Sequence, residues 1–190
     1  KLGLADSRVV TLLGFVYGRK GHRYAVEAVP HLPEDVVMVY AGGPVAGRSF
    51  VHDLALAKAE ELGLGDRFRI TGYLSEEDLE TWIAATHLAI LPFTDLSASG
   101  SMSSWIAAGK PMLVSDLPSV REYEPRAPGA LHLFGPTEPL PLAAAIRELL
   151  AEPLPDPDPA VQRLAAELSL ERTVERYLAV AREALADHRP

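Results

Sequence analysis

The segment between residues 88 and 116 constrains the fold of this chain more than any other. An apolar run at Leu88–Leu91 precedes a polar loop of small residues, and a short helical stretch closed by Gly109 leads into a second apolar run at Met112–Ser115. Short apolar runs joined through a helix are typical of parallel strands that are buried on both faces. The free N–H groups at the start of that helix are then expected at the carboxyl edge of a sheet, where they favour an anion such as phosphate.

The same alternation of strands and helices continues through most of the chain. Runs rich in Val, Leu and Ile predict strands over residues 9–15, 36–41, 68–71, 88–91, 112–115 and 130–133. Amphipathic stretches predict helices over residues 22–29, 51–62, 76–84, 100–108 and 140–150. Ser75 is a candidate N-cap, and Gly63 and Gly109 are placed to end helices. These repeated units predict an α/β fold with a Rossmann-like, doubly wound parallel sheet of about six strands.

The pattern changes after residue 150. Four prolines between residues 153 and 159 alternate with other residues and predict a stiff, extended connector. Helices are predicted beyond it over residues 161–167 and 170–186, packed outside the sheet. We therefore expect residues 1–152 to form a Rossmann-like domain, and residues 153–190 to add a Pro-rich connector and C-terminal helices packed on that same domain. The chain lacks an initial Met and enters a strand almost at once, so we expect a piece of a longer protein.

Composition excludes several classes of function. The net charge of −8 argues against a nucleic-acid partner, and no apolar run reaches the roughly 20 residues that span a bilayer. The chain has no cysteine, which excludes a disulfide framework and a catalytic thiol. Its histidines show no metal-ligand spacing, and His22 is expected at the solvated start of a helix. We expect a soluble, cytoplasmic protein without a membrane-spanning segment.

Four loops are expected to line a ligand crevice at the carboxyl edge of the sheet: residues 14–21, 42–47, 72–74 and 94–101. The first brings Arg19 and Lys20 to a helix start, and the last carries Ser97, Ser99 and Ser101, whose small hydroxyl side chains leave room for a diphosphate. Ordinary structural explanations also exist, because cations solvate turns, paired glycines form tight turns and serines cap helices. The glycine spacing matches neither the dinucleotide fingerprint nor a Walker loop, and no serine lies in a Gly-x-Ser-x-Gly elbow.

Five segments in this order resemble the C-terminal donor-binding domain of the retaining GT-B glycosyltransferases, the group 1 or family 4 set. They are Gly14 with Arg19-Lys20-Gly21, and the runs at residues 37–44, 64–74, 78–79 and 107–116 with Glu122. The resemblance extends from about Val9 to about Leu150. It implies that residues 1–152 bind a nucleotide-diphosphate-sugar as donor substrate, with no cofactor and no metal.

The resemblance also implies roles for particular residues. Lys20 matches the basic residue that neutralises the donor diphosphate, and Arg19 is a second candidate catalytic cation. Contacts with the nucleotide-sugar are implied for Gly14, Phe15, Gly42, Gly43, Tyr73, Leu74, Ser99, Gly100, Ser101, Met102 and Ser104. As leaving-group charge grows on the diphosphate, fixed cations and N–H dipoles stabilise it.

The chain departs from the family pattern at three positions. Phe15 stands where an arginine is usual, and the positions of two family glutamates fall on Leu96 and Ser104, with Asp95 as a candidate substitute for the first acid. We expect the donor-binding half of a hexosyltransferase-like enzyme, whose acceptor domain precedes this chain and whose full length is cytoplasmic or attached to a membrane surface. This piece alone should bind donor weakly and transfer nothing. The alternatives are a degenerate, non-catalytic scaffold or partner-binding domain and, less favoured, a dinucleotide-dependent oxidoreductase.

Overall fold

A six-stranded parallel sheet forms the centre of the computed structural model, which describes residues 2–96 and 98–187. Its strand order is β3-β2-β1-β4-β5-β6, and every neighbouring pair is parallel. The strands are β1 Arg8–Leu13, β2 Val36–Ala41, β3 Phe68–Ile70, β4 Leu88–Leu91, β5 Met112–Ser115 and β6 His132–Phe134. The predicted doubly wound sheet is therefore confirmed. The predicted loop residue Ser97 and His188 lie outside the described residues.

Eight α-helices are described around the sheet. They are α1 His22–Ala28, α2 Phe50–Glu61, α3 Glu76–Ala85, α4 Gly100–Ala108, α5 Pro118–Arg121, α6 Pro139–Leu149, α7 Pro159–Glu167 and α8 Leu170–Asp187. Short 3-10 turns lie at Gly18–Lys20, Val29–His31 and Gly65–Arg67. The four-residue helix α5 was not predicted from the sequence. In the residues that the structure describes, no helix combines the length and the apolar character needed to cross a membrane.

Two strand boundaries differ from the sequence prediction by two residues, and three others differ by one residue. The first strand ends at Leu13 rather than at residue 15, because Gly14 has a φ of 101° and turns the chain out of the extended conformation. The last strand begins at His132 rather than at residue 130, because the N–H of Ala130 donates to the Ala127 carbonyl in a turn.

The core consists of two layers, one on each face of the sheet. Along β1, Val10 and Leu12 face the layer of α1 and α6, while Val9 and Leu13 face the opposite layer with Trp82 of α3 and Trp105 of α4. The two β1 sets alternate because successive side chains of a strand point to opposite faces. Both tryptophans are buried.

The segment at residues 153–158 contains no helix and is joined to the start of β5. The Asp158 N–H donates to the Gly109 carbonyl at 2.7 Å, and the buried Lys110 ammonium donates to Asp156 Oδ2 at 2.5 Å. Pro159 is the first residue of α7 rather than part of the connector, because a proline is tolerated in the first turn of a helix. Val161 of α7 packs into the core beside α4, whereas the described apolar side chains of α8 are exposed.

Candidate functional site

A cavity of about 770 Å³ opens at the carboxyl edge of the sheet, between β1 and β4. This is the point where the strand order reverses, which is where open α/β sheets bind ligands. Its walls come from the loop after β1, the loop after β4 and the first turn of α4. The lining residues are Leu13, Gly14, Phe15, Tyr17, Gly18, Arg19, Lys20, Leu79, Phe93, Asp95, Leu96, Ala98, Ser99, Gly100, Ser101 and Ser104.

Lys20 carries a buried positive charge at this cavity. Its side chain is 8% exposed, and Nζ donates to the Leu13 carbonyl at 2.6 Å and to Ser101 Oγ at 3.3 Å. Burial lowers the pKa of Lys20 to about 8, since removal from water disfavours the charged form. From the sequence alone, a cation that only solvates a turn was as good an explanation of Lys20 as a phosphate-binding cation. The burial of Lys20 is inconsistent with the solvated turn.

The backbone at Gly14 makes room for this ammonium. A Cβ at Gly14 would lie 2.5 Å from Lys20 Nζ, and the φ of 101° is one that L side chains rarely adopt. The chain therefore turns away from β1 immediately before the position that the ammonium occupies. Gly14 lines the cavity, as predicted for the loop at residues 14–21. A side chain at this position would occupy the space of the Lys20 ammonium.

Two serines connect the ammonium to the start of α4. Ser99 is the N-cap of this helix, and its Oγ accepts from the Met102 N–H at 3.1 Å and lies 3.0 Å from Ser101 Oγ. When Ser99 donates in this pair, Ser101 Oγ accepts from both Ser99 and Lys20, and its own proton is left for a ligand. The N–H groups of Gly100 and Ser101 have no partner among the residues that the structure describes. This end of the cavity therefore presents mainly hydrogen-bond donors.

The rim of the cavity is closed by a pair of charges. Arg19 Nη1 lies 2.9 Å from Asp95 Oδ2, with both side chains exposed, and the Thr94 N–H donates to the Arg19 carbonyl at 3.1 Å. These contacts join the loop after β1 to the loop after β4. Apolar side chains, including the half-exposed Phe15 and Tyr17, line the remaining wall. The cavity thus has a donor-rich end and an apolar side.

Several predicted ligand contacts lie elsewhere. The Met102 side chain is buried in the core and its N–H is bonded to Ser99 Oγ, so a ligand contact of Met102 stays a prediction. Gly42 and Gly43 do not line the cavity, because a Cβ at Gly42 would lie 2.2 Å from the Gly14 carbonyl oxygen and Gly43 packs on the backbone of residues 72–73. Tyr73 is 86% exposed and Leu74 packs against the core, and neither lines the cavity. Ligand contacts of Gly42, Gly43, Tyr73 and Leu74 also stay predictions.

The structure also shows residues that the sequence analysis missed or misplaced. His22 is 1% exposed, so the predicted solvated position is wrong. Burial lowers the pKa of His22 to about 3, and the neutral ring places Nδ1 3.1 Å from the Tyr17 carbonyl, where its N–H supports the turn that carries Lys20. Leu79 and Phe93 line the cavity without having been predicted, and Tyr17, which lies in a loop predicted to line it, was not singled out as a site residue. Their only sequence signal is position, since two of them lie in or beside the loops of the sheet edge.

Among residues 2–96 and 98–187, no three His, Asp or Glu side chains come together in a way that could hold a metal ion.

Comparison with known proteins assigns the chain to a family. The model for "Glycosyl transferases group 1" matches residues 7–152. A 2-deoxystreptamine glucosyltransferase of Streptomyces kanamyceticus is 26% identical over 151 residues, covering 77% of this chain and 37% of that protein. A D-inositol 3-phosphate glycosyltransferase of Xylanimonas cellulosilytica is 29% identical over 122 residues, covering 64% of this chain and 29% of that protein. The matched regions therefore span well under half the length of these curated relatives.

Solved structures share the fold. HepE of Anabaena, in complex with UDP and glucose, has a TM-score of 0.78 at 20% identity, covering 96% of this chain and 50% of that one. The C-terminal domain of the group 1 protein LpcC of Francisella tularensis has a TM-score of 0.63 at 13% identity, covering 90% of this chain and 86% of that domain. The group 1 model matches more than half of the sequence, and this chain belongs to the group 1 glycosyltransferases.

Proposed function

We propose that this chain is the donor-binding half of a retaining, hexosyltransferase-like glycosyltransferase and that it holds a nucleotide-diphosphate-sugar in the cavity between β1 and β4. One observation carries the proposal. A buried ammonium, Lys20, and the hydrogen-bond donors at the start of α4 converge on the same cavity, with Lys20 Nζ 3.3 Å from Ser101 Oγ. A diphosphate offers only acceptor oxygens and negative charge, so it complements a site of donors and one buried cation.

The chemistry follows from where charge develops during transfer. Breaking the bond between the sugar and the diphosphate leaves negative charge on the phosphate oxygens, and the Lys20 ammonium, the Ser101 hydroxyl and the α4 amides stabilise it without reorganising. Arg19 reaches the same charge by exchanging Asp95 for the ligand at the rim. Lys20 and Arg19 are therefore the candidate catalytic residues.

The rest of the donor would lie along the apolar side of the cavity. Phe15 and Tyr17 are half exposed at its mouth and offer ring surfaces to a sugar or a base. Ser104 lines the cavity and donates its own proton to the Gly100 carbonyl, so its oxygen is available to accept from a ligand hydroxyl. The exposed ring of Phe15 and the available oxygen of Ser104 support the ligand contacts proposed for these two residues.

The acceptor site belongs, in this proposal, to a second domain. The chain covers 50% of HepE but 86% of the separate C-terminal domain of LpcC, which supports its interpretation as one half of a larger enzyme. The isolated chain is accordingly expected to bind donor and to transfer no sugar.

The experiment is a calorimetric titration of the chain with UDP, GDP, ADP, their sugars and NAD. Binding of a nucleoside diphosphate is expected, and Lys20→Ala should weaken it by about 10- to 100-fold because a charge-assisted hydrogen bond contributes about 1.5–3 kcal/mol. Lys58→Ala is the matched control, since Lys58 pairs with Glu61 on the surface of α2. Absence of any nucleotide binding would contradict the proposal, and a preference for NAD would support an oxidoreductase.

A non-catalytic domain is the second candidate. Of the cavity-lining residues that the structure describes, Asp95 is the one carboxylate, and it is paired with Arg19. Leu96 and Ser104 occupy the positions where the resemblance places two glutamates. Nucleotide binding by a longer protein that contains this chain, without turnover of any donor, would support this second function.

A further inference from the structure

Lys20 differs from the other lysines in its partners. Of the three lysines in the described part of the chain, Lys58 pairs with Glu61 and Lys110 pairs with Asp156, whereas Lys20 donates only to two neutral oxygens. A carboxylate partner would favour the protonated amine, and Lys20 has none. Its surroundings therefore permit a neutral amine, as the lowering of its pKa to about 8 by burial indicates.

The neutral amine is oriented by its hydrogen bonds. Two N–H groups of Nζ are directed to the Leu13 carbonyl and to Ser101 Oγ, and no third acceptor is described around it. The proton that leaves is the one without an acceptor, so the lone pair takes the remaining direction, away from the Leu13 carbonyl and Ser101 Oγ, on a side chain that lines the cavity. The ring centre of Tyr17, another lining residue, lies 5.8 Å from Nζ. A neutral Lys20 thus presents a nucleophile to any ligand in the cavity.

The donors beside Lys20 can hold the leaving group of an electrophile. The amides of Gly100 and Ser101, which have no partner among the described residues, and the Ser101 hydroxyl favour a phosphate. Ser101 Oγ is 3.3 Å from Nζ. A carbonyl attached to a phosphate held there comes within reach of the amine. Holding both reactants in one cavity raises the rate of such a reaction by orders of magnitude.

We propose that Lys20 is a phosphate-directed acylation site, modified by small acyl phosphates that dock their phosphate at the start of α4. The Lys20 nitrogen attacks the acyl carbon, a C–N bond forms, and the C–O bond to phosphate breaks. Inorganic phosphate leaves with the electron pair, and the nitrogen loses one proton to water. The resulting amide is uncharged and occupies the donor-rich end of the cavity, so acylation closes the cavity to diphosphates.

The inference requires the anion-binding cavity and does not require a nucleotide-sugar. Its test is incubation of the chain with acetyl phosphate between pH 7 and pH 9, followed by peptide mass spectrometry of the lysines. At pH 7 an amine with a pKa near 8 has about 200-fold more neutral form than an ordinary lysine with a pKa near 10.4, an advantage partly offset by its lower nucleophilicity. Lys20 is therefore expected to react at least about tenfold faster than Lys58.

Phosphate direction is tested with a second reagent and a competitor. Acetyl N-hydroxysuccinimide ester carries no phosphate, and with it the preference for Lys20 over the partly exposed Lys58 should fall. Pyrophosphate should suppress acetylation of Lys20 by acetyl phosphate and leave Lys58 unchanged. Equal rates at the two lysines, or no protection by pyrophosphate, would overturn the proposal.

Variants separate this inference from the proposed function. Ser101→Ala should slow the acetylation of Lys20 several-fold while its melting temperature shows an intact fold, and the competition experiment on the unaltered chain decides the matter if the variant does not fold. Nucleoside diphosphate binding without preferential acetylation would overturn only the acylation site. Preferential, pyrophosphate-sensitive acetylation without nucleotide binding would overturn only the proposed function.

Discussion

Replacement of Lys20 by methionine is expected to stabilise the chain while removing its anion site. Folding lowers the pKa of Lys20 from 10.5 to about 8, and each unit of pKa shift corresponds to about 1.4 kcal/mol, so burying the ammonium costs about 3 kcal/mol at pH 7. Methionine fills a similar volume without charge. The substitution leaves the Leu13 carbonyl without its 2.6 Å bond to Nζ, which costs about 1 kcal/mol. The net gain at pH 7 is therefore about 2 kcal/mol.

The sign of the pH dependence is fixed by the same shift. Because the folded pKa lies below the unfolded one, the unfolded chain binds more protons between pH 8 and pH 10.5, and raising the pH through this range favours the folded state of the unaltered protein. The advantage of Lys20→Met should thus be full below pH 8 and disappear near pH 10.5.

Thermal and urea denaturation at pH 7 and pH 10 measure this difference. At pH 7 the melting temperature of Lys20→Met should exceed that of the unaltered chain by about 4–8 °C, the shift expected for about 2 kcal/mol in a chain of this size. Lys58→Met is the matched control, because Lys58 is a surface residue paired with Glu61, and it should change stability by less than about 0.5 kcal/mol. A destabilised Lys20→Met, or a difference that is the same at both pH values, would refute the reasoning.

Other substitutions test the surroundings of the site. Gly14→Ala should lose about 1–3 kcal/mol and most nucleotide affinity, because its Cβ would meet Lys20 Nζ at 2.5 Å; calorimetry that finds unchanged binding would contradict this. Asp158→Ala should cost about 1 kcal/mol in urea denaturation, since Asp158 Oδ1 caps α7 through the Ala160 and Val161 N–H groups, whereas Asp158→Asn should retain most of this stability. Leu164→Ala should cost about 2–5 kcal/mol because Leu164 is fully buried, and an equal cost for Leu178→Ala on exposed α8 would show that this burial does not matter.

The fold could be predicted largely from periodicity. Strands such as Val36–Ala41 and Leu88–Leu91 have every residue buried, so their apolar runs have sharp ends that sequence alone reveals. Boundaries failed where a turn rather than an apolar pattern ends the element, as at Gly14 and Ala130. The helix at Pro118–Arg121 is too short to show a helical period.

The site was harder to predict because it depends on contacts between residues that are far apart in the sequence. The sequence brings Lys20 near the sheet edge, but its burial depends on its contacts with Leu13 and Ser101, the latter 81 residues away. His22 looked solvated because a helix start is usually exposed, but its ring packs against Tyr40 of β2 and lies beside the Tyr17 carbonyl. Leu79 lines the cavity from a helix whose apolar pattern indicates only a core position.

The proline-rich segment at residues 153–158 is bonded to Gly109 and Lys110, just before β5. The part of the chain that folds together therefore extends beyond the part that matches the family. The family match stops at residue 152, yet Asp156, which lies beyond it, holds the buried ammonium of Lys110 at 2.5 Å. Truncation after residue 152 would leave the Lys110 ammonium buried with two carbonyl groups as its only remaining partners among the described residues. It would also remove Val161 and Leu164 from the core layer that buries Trp105. A chimeric enzyme that uses this domain should therefore include the sequence up to the end of α7.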